Sequence, residues 1–313
     1  MRTVSLAAAA LAASATVMVA GCDMGKLTVN TTSKVLIRAQ PSLKMESDWE
    51  MASRAIPGAL KTVEGFWVVD PENERLRAIL SEGYCQYGTG FVEDEVEQAA
   101  VRKDFDAVDY HAARATKMFL RCMNYALMAM SKSFRDQLFT ADVETVDKLV
   151  AGVGSGQRTP LMWAAMGLGS AINQNKDRME MVSHLSTATA MLKRVIELDD
   201  KGARPSDKAL AAMPHIAMGL VLSARSEQLG GDLEGAKKSF ERAMELTDQK
   251  FLLAYVYFAR RYAVMKQDKK LFHDTLVKVL STDPSIWPEQ RLANEIAHRR
   301  ARRYLQQEKE LFP

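Results

Sequence analysis

Between Glu46 and Glu95, apolar residues recur at helical spacing on both sides of one break, Asp70-Pro71-Glu72-Asn73. Before the break, Trp49, Ala52, Ile56, Leu60, Val63 and Trp67 fall three and four residues apart and so share one helix face. After it, Leu76, Ile79, Leu80, Tyr84 and Tyr87 supply a facing surface. Asp70 is placed to cap the second helix, and Pro71 suits a first helical position because it has no N–H to lose. A lone helix cannot bury such a face, and a hairpin buries only half of it. The stretch therefore demands further helices packed on it.

The rest of the chain supplies them. Of its 313 residues 47% are hydrophobic and only nine are prolines. Its long segments are rich in Ala, Leu, Met, Glu, Lys and Arg and lack alternating β-branched runs, which predicts an all-α fold. Periodicity places further helices over 105–130, 136–150, 159–174, 179–198, 209–228, 232–246, 251–265, 269–280 and 288–307. The break Gly152-Val153-Gly154-Ser155-Gly156 superficially resembles a phosphate loop. However, Gln157 and Arg158 stand where Gly and Lys are needed, and a helix precedes it, so it reads as a turn. A net charge of +3 with mixed signs gives no footprint for nucleic acid. His111, His184, His215, His273 and His298 do not share metal-ligand spacings with cysteines or carboxylates, so no metal or cofactor is expected.

Met1 to Ala20 has a basic start and an apolar run, the pattern of an export signal. It ends in Val19-Ala20-Gly21-Cys22, which resembles the lipobox of bacterial lipoproteins. That resemblance implies cleavage before Cys22, acylation of Cys22 and a stable membrane anchor. Asp23 resembles the inner-membrane retention signal of enteric bacteria. The expected layout is a signal over 1–21, a lipid-anchored polar tether over 22–45 and a helical body over 46–313. Outside the cytoplasm a bridge between Cys85 and Cys122 is permitted. Both lie in predicted helices, where buried free cysteine is common, and free thiols are the expectation.

The stretch Gly231 to Leu246 resembles the second half of a tetratricopeptide repeat, with small Ala236, then Phe240, then small Ala243. Counting back from Pro71, Asp200 and Pro284 finds degenerate frames at Ala59-Val63-Phe66, Ala188-Leu192-Val195 and Phe272-Leu276-Val279. The expected architecture is an array of degenerate tetratricopeptide-like helical hairpins.

A wider set of motifs carries a family resemblance. These are Ser47-Asp48-Trp49-Glu50, Ala55-Ile56-Pro57, Asp70-Pro71-Glu72-Asn73, Glu82-Gly83-Tyr84 and Phe91-Val92-Glu93-Asp94-Glu95, followed by Gly230-Gly231-Asp232, Arg260-Arg261-Tyr262 and Pro288-Glu289-Gln290-Arg291. In order and spacing the chain resembles the T component of TRAP transporters, the TatT-type periplasmic lipoprotein family, most weakly over 159–182. The resemblance implies a homotrimer that partners the periplasmic substrate-binding subunit of an ion-driven transporter. It also implies a tunnel through each protomer that passes a hydrophobic ligand, and no enzymatic activity. An envelope scaffold lipoprotein that only docks proteins is the alternative.

No catalytic constellation emerges from the residues themselves. Glu93, Asp94 and Glu95, with Asp104, Asp106 and Asp109, lack the turn and closing glutamate of a calcium loop, so a solvated acidic face or helix caps are expected. The row Arg291, Arg299, Arg300, Arg302 and Arg303 reads as a solvated helix end. The eighteen methionines, Met118, Met123, Met128, Met130, Met162 and Met166 among them, read as core filling before channel lining. Tyr84, Tyr87 and Phe91 mouth a pocket or cap the core, two readings the sequence leaves level. Tyr84, Tyr87, Phe91, Glu93, Asp94 and Trp163 are the candidate ligand or partner contacts.

Overall fold

A computed structural model describes residues 24–225, 228 and 230–312, and every regular element in them is helical. The lipobox and Cys22 lie outside the described residues. The first helix, α1, spans Met24–Lys44, where the polar composition suggested a tether. It forms because its few apolar and small residues share a face: Val29 and Ser33 are buried and Leu36 packs on the core. Its polar residues find local partners. The Thr28 and Thr31 hydroxyls donate to carbonyls four residues back, and Asn30 accepts from Arg75 at 3.1 Å.

The opening hairpin is α2 (Trp49–Val69) and α3 (Glu74–Tyr87). Its predicted faces are the buried ones, with Ala52, Leu60, Val63, Leu76, Ile79, Leu80 and Tyr84 in the core. The cap differs from expectation. Asn73, not Asp70, accepts from the Leu76 N–H, and Pro71 lies in the turn. Asp70 ends α2 and accepts from the Asn73 amide at 3.1 Å, so the two residues share the turn.

After α4 (Glu93–Val101) come α5 (Phe105–Leu127), α6 (Lys132–Gln137) and α7 (Val143–Ala151). Two helices therefore stand where periodicity gave one over 136–150, because Asp142 caps a fresh start at the Thr145 N–H. Next are α8 (Arg158–Asn173), α9 (Met179–Val182) and α10 (Leu185–Leu198). The glycine-rich break joins α7 to α8, as a turn should. Arg158, which took the lysine position of the false phosphate loop, is buried and forks onto Asp199 at 2.8 and 2.6 Å. In α8, Gly167 lets the helix lie directly on α5. A Cβ there would stand 2.7 Å from the Phe119 carbonyl oxygen.

The C-terminal half comprises α11 (Lys208–Leu222), α12 (Leu233–Leu246), α13 (Leu252–Tyr257), α14 (Lys269–Ser281), α15 (Arg291–Gln306) and α16 (Glu308–Leu311). Ala236, Phe240 and Ala243 are fully buried, as are Ala188, Leu192, Val195, Phe272, Leu276 and Val279. Gly219 of α11 admits the Phe240 ring, three of whose carbons would lie 2.8 Å from a Cβ. The Ala59 frame departs from this pattern: Val63 is buried but Ala59 is exposed.

Two large apolar clusters divide the interior. One joins α1, α2, α3, α5 to α8, α10 and part of α11, and the other joins α11 to α15 with Ala52 of α2 and Phe91. Ile56, Tyr87, Met213 and Leu222 pack against both. Within the first, α3 and α5 bring the Cys85 and Cys122 Cα atoms to 5.3 Å, and the two residues form a disulfide. The free thiols expected from sequence are thus corrected. Two helices can bury cysteines without bridging them, and only their packing brings the Cβ atoms into reach.

Part of the acidic and basic rows is also corrected, since Glu93 and Asp94 pair with Arg299, Arg300 and Arg303 rather than with water. Asp94, 1% exposed, accepts from Arg299 at 2.8 Å and from Arg303 at 2.5 Å. Arg303 also bonds Glu97, and Arg300, equally buried, lies 3.4 Å from Glu93. This clasp fastens α15 across the opening hairpin. Other members of the two rows behave as foreseen: Asp104 caps α5 at the Ala107 N–H, and Asp106, Asp109 and Arg302 are exposed.

Burial works to raise the Asp94 carboxyl. The Arg303 charge and the hydrogen bonds from Arg299 and Arg303 outweigh it and hold the group below the usual carboxylate range. Glu97 is likewise held down against burial by Arg300 and Arg303. Glu93 goes the other way, pushed up by burial despite Arg300.

Two expected outcomes follow from this packing. Reducing the Cys85–Cys122 bridge, or the double substitution Cys85→Ala/Cys122→Ala, opens a link of separation 37. It lowers unfolding free energy by about 3–4 kcal/mol on the chain-entropy scale, as read by urea denaturation. Asp94→Ala removes the carboxylate partner of Arg299 and leaves Arg303 with Glu97 alone, and it costs about 3–5 kcal/mol. Asp94 and Glu97 are depressed in the folded state. Their stabilisation is present above their unfolded pKa values, about 3.9 and 4.3, and disappears as pH falls through the lower folded ones. Glu93 opposes this, since its ionised form costs stability that acid restores. Below about pH 4 the wild-type denaturation midpoint therefore falls more steeply than that of Asp94→Ala.

Candidate functional site

A cavity of about 980 Å³ lies between the two apolar clusters, at the upper end of the range of small-molecule sites. Its walls come from α1 to α4, α8, α10, α11, α13 and α15. Leu36, Ile56, Leu60, Trp163, Ile216 and Leu220 give it a mainly apolar lining. Met166 and Met213 also reach the wall, whereas Met123, Met130 and Met162 fill the core as the sequence suggested. A helical array leaves such a space where facing positions carry small residues. Here these include Ala59, Ala165, Gly169 and Ala217, and nothing lies within 4 Å of a Cβ built on Gly169. That exposure explains why Ala59 breaks the buried frame.

Trp163, Tyr87, Phe91 and Glu93 are on the wall. Tyr87 stacks on Phe91 at 5.6 Å, and Trp49 tilts over Phe91 at 5.3 Å and bonds the Gly90 carbonyl. Tyr84 and Asp94 are off it. Tyr84 is a core residue stacked on Tyr125 at 6.0 Å, with burial raising its hydroxyl above the normal tyrosine range. Asp94 serves the clasp. The level readings for the aromatic trio thus divide, with Tyr84 in the core and Tyr87 and Phe91 on the cavity. Trp163 also backs the disulfide, its carbonyl oxygen 3.3 Å from the Cys122 sulfur.

One end of the cavity is polar, and two π-helical turns build it. Gly88–Val92 continues α3 into α4, and Phe258–Ala263 continues α13. A π turn loosens the carbonyl ladder and frees acceptors. Here the Thr89 carbonyl accepts from Arg300 at 2.6 Å. Gly88 and Gly90 permit this close packing. Cβ atoms there would stand 2.6 Å from the Phe119 ring and 2.8 Å from Ile296. Arg300 also donates to the Tyr257 hydroxyl at 2.8 Å, and Tyr304 donates to Glu97 at 2.7 Å. Glu93 accepts from Gln174 at 2.8 Å.

Lys176, Arg260 and Arg261 stand at the same end. Sequence reasoning did not single them out for the site. A visible signal existed, because two adjacent arginines interrupt the aromatic, apolar run from Phe251 to Ala263. A charged pair inside a buried helix calls for a reason to be there.

Among the described residues no group of three or more His, Cys, Asp or Glu side chains is placed to hold a metal ion. No described helix is long and apolar enough to cross a membrane.

The sequence is similar to an uncharacterized protein of Treponema pallidum (strain Nichols). The two are 22% identical over 260 residues, covering 82% of this chain and 78% of that protein. The model of the TRAP transporter T-component family matches residues 45–312, nearly all of the described helical body. The chain therefore belongs to the TRAP transporter T-component family.

Proposed function

We propose that this protein is a membrane-anchored periplasmic accessory subunit of a TRAP-type secondary transporter. It holds an apolar ligand in its cavity and docks the substrate-binding subunit. The observation that carries this reading is the cavity of about 980 Å³ with its mainly apolar lining in a member of the T-component family. A scaffold that only docks proteins has no need of such a space, and an empty one forfeits dispersion contacts all along its wall. The buried disulfide fits an oxidising compartment, and the Val19-Ala20-Gly21-Cys22 lipobox supplies the anchor at Cys22. The buried small–large–small frames fit tetratricopeptide-like hairpins, and a homotrimer accords with the family resemblance. The subunit performs no chemistry on its ligand. The transporter's ion gradient supplies the work.

Mass spectrometry of small molecules extracted from the purified native protein yields a stoichiometric apolar compound. Gly169→Leu projects a branched side chain into the cavity from a position where a Cβ meets nothing within 4 Å, and it removes a helix-interior glycine. It leaves stability unchanged or raises it by about 0.5–1 kcal/mol, and it lowers the yield of the co-purifying compound. An unchanged yield of that compound from Gly169→Leu protein refutes the cavity as its site. Crosslinking in cells that express the cognate substrate-binding subunit captures the pair, and its absence there refutes docking.

A further inference from the structure

The polar end of the cavity carries more positive charge than its own carboxylates balance. Four cationic side chains, Lys176, Arg260, Arg261 and Arg300, line it, against the carboxyls of Glu93 and Glu97. Arg300 uses those carboxyls, the Tyr257 hydroxyl and the Thr89 carbonyl. The other three have no carboxylate within ion-pair distance among the described residues. Arg261 has one bond, to the Asn173 amide oxygen at 3.3 Å. Arg260 lies against the Tyr304 ring, 5.5 Å from its centroid, a contact that leaves its N–H donors unused. Lys176 is exposed, and the two arginines are half-buried.

Removal from water and mutual repulsion are both felt there. Although Lys176 is open to solvent on one side, the protein around it displaces part of its hydration, and this, then Arg261 and Arg260, lowers its ammonium from its ordinary value. Burial lowers Arg260 too, with Arg261 adding to it. Glu93, pushed up by burial, contributes less negative charge than its formula suggests. Arginine and lysine side chains gathered on a cavity wall with donors to spare are the standard means of binding a carboxylate or phosphate.

We propose that the ligand is an amphiphilic anion. Its apolar chain lies along Ile56, Leu60, Trp163 and Ile216, and its carboxylate or phosphate head is held by Lys176, Arg260 and Arg261. The inference rests on the proposed reading of the cavity as a ligand site and adds the chemical class of its occupant. The apolar wall supplies affinity without orientation. The cationic end fixes which way the molecule enters and rejects a neutral chain of equal length.

The test is a fluorescence titration of the delipidated protein with cis-parinaric acid and with its methyl ester, which share a chain and differ in charge. The acid binds the wild type at least about tenfold more tightly than the ester. Arg260→Gln/Arg261→Gln, and separately Lys176→Gln at an exposed position, weaken the acid and leave the ester within about twofold. The ester thus reports that the cavity is still folded. Dodecanoate or dodecyl phosphate displaces the bound acid far better than dodecanol, and their ranking identifies the preferred head. Equal affinity of wild type for acid and ester, or displacement by dodecanol as efficient as by the anions, overturns the head-group assignment and leaves the apolar ligand site standing. Binding of neither probe overturns both.

Discussion

The clasp between α4 and α15 is the interaction on which the architecture rests. It joins residues some two hundred positions apart: Asp94 to Arg299 and Arg303, and Glu93 and Glu97 to Arg300 and Arg303. A helical array held only by neighbouring contacts would be free to splay, because each hairpin sees little beyond the next. Here the last long helix is tied back to the first hairpin. Arg299 lies 4.0 Å over the Trp49 ring, and Ile296 presses on Gly90. Closure turns an open stack into a wall around a void. Such a clasp is not a cheap source of stability, since each buried charge gives up its hydration and regains it only through well-made partners. Its contribution is geometric. A leucine cluster could hold the same helices together, but it would not fix their register through forked hydrogen bonds.

Local order was legible in the sequence because helices advertise themselves by period. The opening hairpin, the Ala236-Phe240-Ala243 face and most helix cores could be read from spacing alone. The departures share one physical origin, which is that partners distant in the chain leave no local mark. The acidic run at Glu93 and the basic row at Arg299 each look like a solvated face, and each is the other's counterion. Cys85 and Cys122 look like ordinary buried thiols until α3 meets α5. The polar stretch before Met45 reads as a tether that joins the fold at Val35-Leu36-Ile37, and its helix, α1, is set by Val29, Ser33 and Leu36 meeting the opening hairpin. Of the candidate contacts, Tyr87, Phe91, Glu93 and Trp163 reach the cavity because they flank helix ends and small residues that face it. Tyr84 is one turn from Tyr87 on the same helix, but it points into the core.

The cavity itself has an energetic logic. A well-packed interior has few voids larger than a water molecule, and an emptied core position costs stability roughly in proportion to the space left behind. A void near 980 Å³ is tolerable because two large apolar clusters, bridged by Ile56, Tyr87, Met213 and Leu222, pack around it. The walls then gain contacts whenever an apolar guest enters. Ligand binding and fold stability are thereby linked, so a guest in excess raises the unfolding free energy by an amount set by its concentration over its dissociation constant.

The same linkage separates the roles of the two ends. Along the apolar wall, any chain of suitable girth gains much the same free energy per unit area, so that wall selects weakly. On the proposed reading, the exposed Lys176 and the half-buried Arg260 and Arg261 supply the selection, because such cations discriminate between a charged head and a neutral one. The two π turns and the clasp meet at this end: Arg300 is bound both to the Thr89 carbonyl of one turn and to Tyr257 at the start of the other. A guest that engages Arg260 and Arg261 therefore touches the turn that follows Tyr257, one hydrogen bond from the residue that closes the array. Arg300 thus belongs to both the polar end of the cavity and the clasp.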